Sequence, residues 1–160
     1  MNFGPASKED ANTILKLYHS VLDTPCCRWS LGYPLMENIE DDLSRDGLFC
    51  LRENGEIIGA ISIDQDAEVA AFPCWSDALQ PSIELSRLCI RSDYQGRGLA
   101  ARMIEYMMEY AKENHIKSIH YLVSKHNELA QKAYQRLQFR RVGEAQIYED
   151  DFWCYEKEIE

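Results

Sequence analysis

The segment Gln95-Gly96-Arg97-Gly98-Leu99-Ala100 has the composition of a loop that binds a phosphate group. Glycine lets the backbone turn sharply and approach an anion without a Cβ in the way. Apolar residues recur with helical spacing after the loop, so it stands at a helix N-terminus, where unpaired N–H groups and the helix dipole favour an anion. Arg97 can add charge-assisted hydrogen bonds. We therefore predict that this loop binds phosphate, although a plain strand-to-helix turn containing glycines would have the same sequence.

The glycine spacing argues against two common nucleotide-binding folds. The segment does not contain the G-x-G-x-x-G pattern of dinucleotide-binding folds, and no Lys-Ser or Lys-Thr follows Gly98 as a P-loop requires. The glycine spacing therefore disfavours both a dinucleotide-binding fold and an NTPase.

Helical periodicity predicts four helices around this loop. The first ends at Thr24-Pro25, the second spans about 35–45, the third follows the loop, and the fourth is capped by Asn127. The predicted buried faces are Ile14, Leu17, Tyr18 and Val21 in the first helix, Ala100, Met103, Ile104, Met107 and Ala111 in the third, and Ala130, Ala133, Tyr134 and Leu137 in the fourth.

The remaining segments predict a mostly antiparallel sheet in a single domain over residues 1–160. Asn54-Gly55 favours a tight hairpin turn, because both central residues of that turn adopt positive φ. Residues 26–34 and 65–81 are predicted loops, and the turn Glu149-Asp150-Asp151 separates the last two strands. The predicted strands are 1–4, 48–52, 57–64, 82–91, 118–123, about 139–148 and about 152–159, which with the helices gives the order β-α-α-β-β-β-α-β-α-β-β.

Three blocks of sequence resemble the GNAT superfamily of N-acetyltransferases. Gln95-x-x-Gly98-x-Ala100 resembles the Q/R-x-x-G-x-G/A signature with which that family binds the pyrophosphate of acetyl-CoA. The segment from Arg87 to Gly96 is similar to the family's fourth strand leading into that loop, and Asn127-x-x-Ala130-x-x-x-Tyr134-x-x-Leu137-x-Phe139 is similar to its next block. The element order matches over the whole chain.

The resemblance implies an α/β (α+β) fold. Its mostly antiparallel central sheet would have about seven strands, flanked by about four helices, with splayed fourth and fifth strands. One residue departs from the family pattern, because Gln138 stands where a glycine usually ends the helix. Gln adopts the left-handed conformation at a modest cost, so we expect a slightly strained helix end.

The resemblance also implies roles for individual residues, with acetyl-CoA as co-substrate and no metal. The pantetheine arm would lie in the gap between the splayed strands, with the N–H of Leu88 near the thioester carbonyl as an oxyanion donor. Tyr134 falls on the position of the general acid that protonates the leaving thiolate, since a phenol stays protonated at neutral pH. The implied cofactor-binding residues are Leu88, Ile90, Gln95, Gly96, Arg97, Gly98, Leu99, Ala100 and Asn127.

The acceptor amine must lose a proton before it attacks. Glu84 is the candidate base, because period-two alternation places it on one strand face with Ser86, Leu88 and Ile90. A water relay and His120 are the alternatives. Trp29, Tyr33 and Trp75 lie in the irregular regions where the family recognises acceptors, and they could form an aromatic wall or a cation–π contact, or only anchor the loops.

Cysteine and histidine spacing argues against disulfides and zinc. No C-x-x-C pair occurs, and His19, His115, His120 and His126 match no zinc pattern. A chain of this size needs no disulfide staples, and its start does not resemble a secretory signal. We predict buried or half-buried free thiols at Cys26, Cys27, Cys50, Cys74, Cys89 and Cys154.

The charge distribution limits the classes of partner. The net charge is −10, but residues 87–141 hold 11 bases and five acids, for +6, and the remainder carries −16. The acidic total excludes long nucleic acid, whereas the basic segment suits one phosphorylated cofactor and the acidic remainder would attract a cationic amine. No apolar run approaches the ~20 residues that span a bilayer, so we expect a cytoplasmic protein with no membrane partner.

The predicted function is acetyl-CoA-dependent N-acetylation of a primary amine in a small molecule or peptide. The amine would attack the thioester directly in a ternary complex. The alternative is a non-catalytic acyl-CoA-binding regulatory module on the same fold. Dimerisation is common in the family, so a homodimer is a further possibility that the sequence leaves open.

Overall fold

A computed structural model describes residues 1–25 and 27–160. Cys26, which is predicted to be a free thiol, lies outside the described residues. Over the described residues the chain forms seven strands and five α-helices in the order β1 (Asn2–Pro5), α1 (Ala11–Ser20), α2 (Met36–Ser44), β2 (Leu48–Glu53), β3 (Glu56–Asp64), α3 (Ala67–Ala70), β4 (Ser82–Ile90), α4 (Leu99–Glu113), β5 (Ser118–Ser124), α5 (Glu128–Arg136), β6 (Arg140–Ile147) and β7 (Asp150–Glu158).

In this described part of the chain the strands form one sheet in the order β1-β2-β3-β4-β5-β7-β6. β1 and β2, β2 and β3, β5 and β7, and β6 and β7 pair antiparallel. β4 and β5 pair in parallel from Ser82–Ser118 to Leu85–Tyr121, and β4 then continues to Ile90. The sheet confirms the predicted fold class, and the parallel pair fits splayed fourth and fifth strands.

The chain divides into two compact units. Unit 1 comprises Met1–Ile63 and Ser86–Met103. Its core confirms the predicted face of α1 and lies where α1 and α2 pack against β2 and β3. At Gly59 on β3, an added Cβ would lie 2.9 Å from Met103 Sδ, 3.0 Å from Ile90 Cδ1 and 3.2 Å from the Cys89 carbonyl oxygen, so these neighbours would have to move. The buried residues of this core are Ile14, Leu17, Tyr18, Val21, Ile39, Leu48, Cys50, Ile57, Ala60 and Cys89.

Unit 2 comprises Asp64–Leu85 and Ile104–Glu160. One side of its sheet carries a cluster of aromatic rings around Tyr134, at the end of α5. A second cluster lies under the segment before β4, where Val69, Trp75 and Cys154 are buried together. Each unit therefore has its own apolar core.

Several local predictions are confirmed. Asn54 and Gly55 adopt φ values of 51° and 83°, as the predicted hairpin turn requires. Asn127 caps α5, because its Oδ1 accepts a hydrogen bond from the Ala130 N–H at 3.1 Å. Gln138 has the expected left-handed conformation, with φ 65°. The described cysteines, at positions 27, 50, 74, 89 and 154, are free thiols as predicted.

Three predictions are corrected. Residues 65–81 are not an open loop, because they contain the one-turn α3 and a 3-10 turn over Asp77–Leu79, so the described helices exceed the expected number by one. Asp66 begins α3 by accepting from the Glu68 N–H at 3.0 Å. The last hairpin turns at Tyr148 and Glu149, with φ 53° and 59°, so Asp150 and Asp151 belong to β7.

No helix within residues 1–25 and 27–160 is long and apolar enough to span a bilayer.

Candidate active site

The predicted phosphate loop connects β4 to α4 in unit 1. A 3-10 turn over Ser92–Tyr94 leads into it, and α4 begins at Leu99. Gly96 and Gly98 adopt φ values of 78° and 73°, which residues with a Cβ rarely adopt. A Cβ added at either glycine would meet no atom of the described residues within 4 Å. The backbone conformation therefore favours glycine here, and the outer side of the loop stays open to a ligand.

Side chains on both sides hold this loop in place. Gln95 Nε2 donates to the Ile90 carbonyl at 3.0 Å, and Arg97 Nη2 donates to the Asp93 carbonyl at 3.3 Å. The guanidinium groups of Arg91 and Arg97 lie 5.0 and 4.7 Å from the centre of the Tyr94 ring. Arg91 also pairs with the Asp93 carboxylate at 2.8 Å, whereas Arg97 donates to a carbonyl oxygen. Arg97 is exposed and can turn its charge towards an anion.

β4 contains a local distortion just before the residues predicted to contact the thioester. Arg87 has φ 49°, within an otherwise extended strand. Strand alternation requires extended backbone at every residue. The single face predicted for Glu84, Ser86, Leu88 and Ile90 is therefore wrong, because the alternation breaks between Ser86 and Leu88.

Arg87 belongs to a buried polar cluster that the sequence reasoning missed. Its Nη2 and Nε donate to Asp42 Oδ1 and Oδ2 at 2.8 and 3.2 Å. Asp42 also accepts from Ser62 Oγ at 2.6 Å and from Arg45 Nη2 at 2.7 Å. A sequence signal existed, because Asp42 follows Ile39 at the i, i+3 spacing of the buried face of α2.

The acceptor candidates of unit 1 differ in their surroundings. Trp29 is half-buried and packs edge-on against Tyr18, with ring centres 5.3 Å apart. Tyr33 is 42 % exposed, and its hydroxyl accepts a hydrogen bond from Arg87 Nη1 at 3.0 Å. Trp29 thus matches the anchoring alternative, whereas Tyr33 presents an aromatic surface to solvent.

In unit 2, three acidic or basic side chains form a row across β4, β5 and β7. In the strand register, Glu84 lies opposite His120, and His120 lies opposite Glu156. All three are buried, with exposed fractions of 8 %, 7 % and 1 %. Glu156 accepts from the N–H and the Oγ of Ser76, each at 2.9 Å. The structure thus brings the predicted base next to its predicted alternative.

His120 is the most unusual member of this row. Its Nδ1 lies 2.6 Å from Ser82 Oγ, but no described residue forms a hydrogen bond with its Nε2. Burial lowers the pKa of His120 to about 4, although the Glu156 charge opposes that shift. His120 is therefore neutral at pH 7.

Trp75 covers His120, with ring centres 4.6 Å apart. It is buried, and its Nε1 donates to the Val69 carbonyl at 2.8 Å. These contacts match the anchoring alternative, and an acceptor contact for Trp75 stays a prediction.

Tyr134 lies in the aromatic cluster of unit 2, almost completely buried. Its ring centre is 4.7 Å from that of Tyr121, 5.4 Å from that of Phe139 and 5.8 Å from that of Tyr155. Burial raises the pKa of Tyr134 well above its ordinary value, and the nearby Tyr121 hydroxyl adds to the rise. No described residue makes a well-formed hydrogen bond with the Tyr134 hydroxyl.

The predicted site residues thus form separate groups. Unit 1 joins the loop Gln95–Ala100 to Leu88 and Ile90 along one stretch of chain, and joins Tyr33 to β4 through Arg87. Unit 2 places Glu84, His120 and Trp75 together, and places Asn127 and Tyr134 on α5. Within the described residues, no group of three or more His, Cys, Asp or Glu side chains could hold a metal ion.

Comparison with known proteins identifies the family. The model of the acetyltransferase (GNAT) family matches residues 14–139, so the chain belongs to the GNAT family of acetyltransferases. No curated protein sequence matches the chain significantly.

Solved structures share the fold at low sequence identity. A GNAT-family acetyltransferase from Streptococcus agalactiae superposes with a TM-score of 0.83 at 17 % identity, covering 99 % of this chain and 95 % of that one. A structure from Salmonella typhimurium with its cofactor acetyl-CoA gives 0.77 at 17 % identity, covering 100 % and 94 %. A ribosomal-protein-alanine N-acetyltransferase from Brucella melitensis gives 0.76 at 16 % identity, covering 99 % of each chain.

Proposed function

We propose that this protein is an acetyl-CoA-dependent N-acetyltransferase that acetylates a primary amine of a small molecule or peptide by direct attack in a ternary complex. The observation that supports this most is the phosphate loop. Two left-handed glycines, with open space where their Cβ atoms would be, stand directly before the 15-residue α4 in a chain of the GNAT family. This arrangement offers free N–H groups to a pyrophosphate.

The chain's own groups would bind and polarise the co-substrate, which supplies an acetyl thioester. The N–H groups of residues 96–100, with Arg97, would hold the pyrophosphate. The N–H of Ile90 would hold a pantetheine amide, and the N–H of Leu88 would stabilise negative charge as it develops on the acetyl oxygen. The side chain of Asn127 is committed to capping α5, so any further contact would use another part of that residue or a second lone pair.

Tyr134 would donate the proton that the leaving thiolate needs. Its raised pKa keeps the phenol protonated at neutral pH, and its hydroxyl lacks a well-formed partner among the described residues. A buried donor in this condition interacts more strongly with a developing anion than it would in water. Because the hydroxyl is almost fully enclosed, few solvent molecules would compete for its proton.

Glu84 would take the proton from the acceptor ammonium, with His120 and a water relay as alternatives. A carboxylate can accept a proton, and no described residue forms a hydrogen bond with the Nε2 of the neutral His120. Single replacements separate these cases. Glu84→Gln should lower kcat by about 10²–10⁴ if Glu84 is the base, and His120→Gln should do so instead if His120 is.

The acceptor side is proposed to include Trp29, Tyr33 and Trp75, and Tyr33 is the best supported because its ring is exposed. An ammonium over that ring would gain a cation–π contact. The acidic remainder of the chain would raise the local concentration of cationic amines.

The test is a thiol-release assay with purified protein, acetyl-CoA and a panel of amines that includes polyamines, amino acids, aminoglycosides and short peptides with free N-termini. We expect amine-dependent release of CoA, with acetyl-amine of equal amount detected by mass spectrometry. Reactions without amine give the rate of simple hydrolysis. Tight binding of acetyl-CoA without turnover on any amine would instead favour a non-catalytic acyl-CoA-binding module.

A further inference from the structure

Arg87 connects the distorted part of β4 to two other parts of unit 1. It is almost fully buried, and its guanidinium reaches Asp42 on α2 through Nη2 and Nε and Tyr33 through Nη1. A planar guanidinium can make such a fork, because it carries five N–H donors in fixed directions, whereas a lysine ammonium cannot. Arg87 is adjacent to Leu88, whose N–H is the proposed oxyanion donor.

Tyr33 ends a tight turn whose backbone is closed by reciprocal hydrogen bonds. The Ser30 N–H donates to the Tyr33 carbonyl at 3.1 Å, and the Tyr33 N–H donates to the Ser30 carbonyl at 3.2 Å. The Gly32 N–H also donates to Ser30 Oγ at 3.1 Å. The Tyr33 hydroxyl is therefore held by a buried cation while its ring remains exposed to solvent.

Asp42 keeps Arg87 in place. Its two oxygens accept from Arg87, Arg45 and Ser62, so the carboxylate is satisfied on several sides. A buried carboxylate with this many donors fixes a guanidinium in one orientation. Removing either partner would leave a buried charge without its counter-ion.

We propose that Arg87 is a positioning residue that holds the Ser30–Tyr33 turn, and with it the acceptor-facing Tyr33 ring, in register with the Leu88 N–H. Asp42 orients Arg87 for this task. The inference rests on the proposed function for the meaning of the register, but the physical link between Arg87 and the turn is testable without any substrate.

The first test measures amide hydrogen exchange in the ligand-free protein. Tyr33→Phe keeps the ring and removes only the hydrogen bond to Arg87, so exchange at the amides of residues 30 and 33 should become about tenfold faster. Tyr148→Phe is the matched control, because it removes a hydroxyl that contacts Asp66 in unit 2. It should leave exchange in the turn unchanged. Unchanged exchange in Tyr33→Phe would overturn the proposal.

The second test is a double-mutant cycle with Arg87→Lys. If Tyr33 acts through Arg87, Tyr33→Phe should add nothing to the faster exchange of the turn in the Arg87→Lys background. Additive effects of the two changes would overturn the link. Circular dichroism and thermal melting check that each variant is folded, and Asp42→Asn serves as a second route to the same loosening if Arg87→Lys does not fold.

A kinetic measurement then connects the link to the proposed reaction. Tyr33→Phe should raise the acceptor KM about five- to tenfold and leave the KM for acetyl-CoA unchanged, whereas Arg87→Lys should also lower kcat about tenfold or more, because the Leu88 N–H loses its alignment. If both KM values rose equally, in proportion to the loss of stability, the result would contradict a positioning role. If the wild-type protein acetylates no amine while the exchange results hold, the proposed function fails and the Arg87 link stands.

Discussion

Replacing Gly98 with alanine should weaken acetyl-CoA binding far more than it weakens the fold. Gly98 has φ 73°, and an added Cβ would have no neighbour within 4 Å in the part of the chain that the structure describes. The change therefore causes no steric clash within the chain. Its cost is the left-handed conformation of alanine, about 1–2 kcal/mol, partly offset by the lower entropy of the unfolded chain.

Gly55 offers a matched control at the hairpin turn between β2 and β3. Its φ is 83°, and an added Cβ there would also lie more than 4 Å from the other described residues that could contact it. Both alanine variants should therefore lose a net amount of about 1 kcal/mol, which lowers Tm by about 2–4 °C in a protein of this size. The two variants match in backbone strain and differ in their distance from the proposed phosphate site.

The binding assay is isothermal titration of acetyl-CoA into each variant. If the loop relaxes enough to lose one N–H bond to the pyrophosphate, a loss of about 1.5–3 kcal/mol corresponds to about 10–100-fold weaker binding for Gly98→Ala. Gly55→Ala should bind like the wild type. Equal affinity in both variants, with the expected fall in Tm, would refute the assignment of the loop as the phosphate site.

Three further predictions concern unit 2. Tyr134→Phe should lower kcat by about 10²–10⁴ with little change in Tm, because no described residue makes a well-formed hydrogen bond with the Tyr134 hydroxyl. The pKa of His120 is lowered to about 4 by burial, so the folded state binds its proton less tightly than the unfolded chain does. The free energy of unfolding should therefore fall by up to about 3 kcal/mol as the pH is lowered from about 6.5 to 4, with no contribution from His120 to the pH dependence above that range. His120→Gln should remove this slope when unfolding by urea is measured at each pH. Gln138→Gly should raise Tm by about 1–4 °C, because φ 65° costs glycine nothing.

Each of these has a control in the same unit. Tyr155→Phe also removes a buried phenol, but one whose hydroxyl binds Arg141 at 3.2 Å, so it should lower Tm and spare kcat. An unchanged kcat in Tyr134→Phe would show that Tyr134 is not the general acid. His115→Asn, at an exposed histidine, should keep the pH slope. A lower Tm for Gln138→Gly, like that expected for Gln135→Gly inside α5, would show that the left-handed conformation is not strained.

Local sequence rules predicted the parts of the fold that depend on neighbouring residues. The hairpin follows from Asn54-Gly55, the start of α5 from the Asn127 side chain, and the buried face of α1 from apolar spacing. The backbone of the loop Gln95–Ala100 belongs with these, because its glycines and the helix behind it lie within one short segment, whereas its binding of phosphate stays a prediction. Such features need only backbone conformation and one hydrogen bond or one face, all specified within a few residues.

Short elements and distant pairs could not be predicted in this way. α3 is a single turn, and its Asp66 cap is the same signal that begins many non-helical turns. Tyr148 and Glu149 turn the last hairpin without glycine, so composition pointed to the acidic residues after them. The pair of Asp42 and Arg87 joins residues 45 positions apart, which no local pattern identifies.

The left-handed conformation of Arg87 is the feature of β4 that the predicted strand alternation did not anticipate. Among the described residues, the other non-glycine positions with positive φ lie at turns or just after helices, namely Asp46, Asn54, His115, Gln138, Tyr148 and Glu149. Arg87 alone among them lies inside a strand, where a left-handed residue costs about 1–2 kcal/mol and disrupts the ladder. The hydrogen bonds from its guanidinium to Asp42 and Tyr33 stabilise that conformation. Because strain of this kind persists only where surrounding contacts impose it, the distortion beside Leu88 is held by α2 and the Ser30–Tyr33 turn, so a change in either should reach the proposed oxyanion donor.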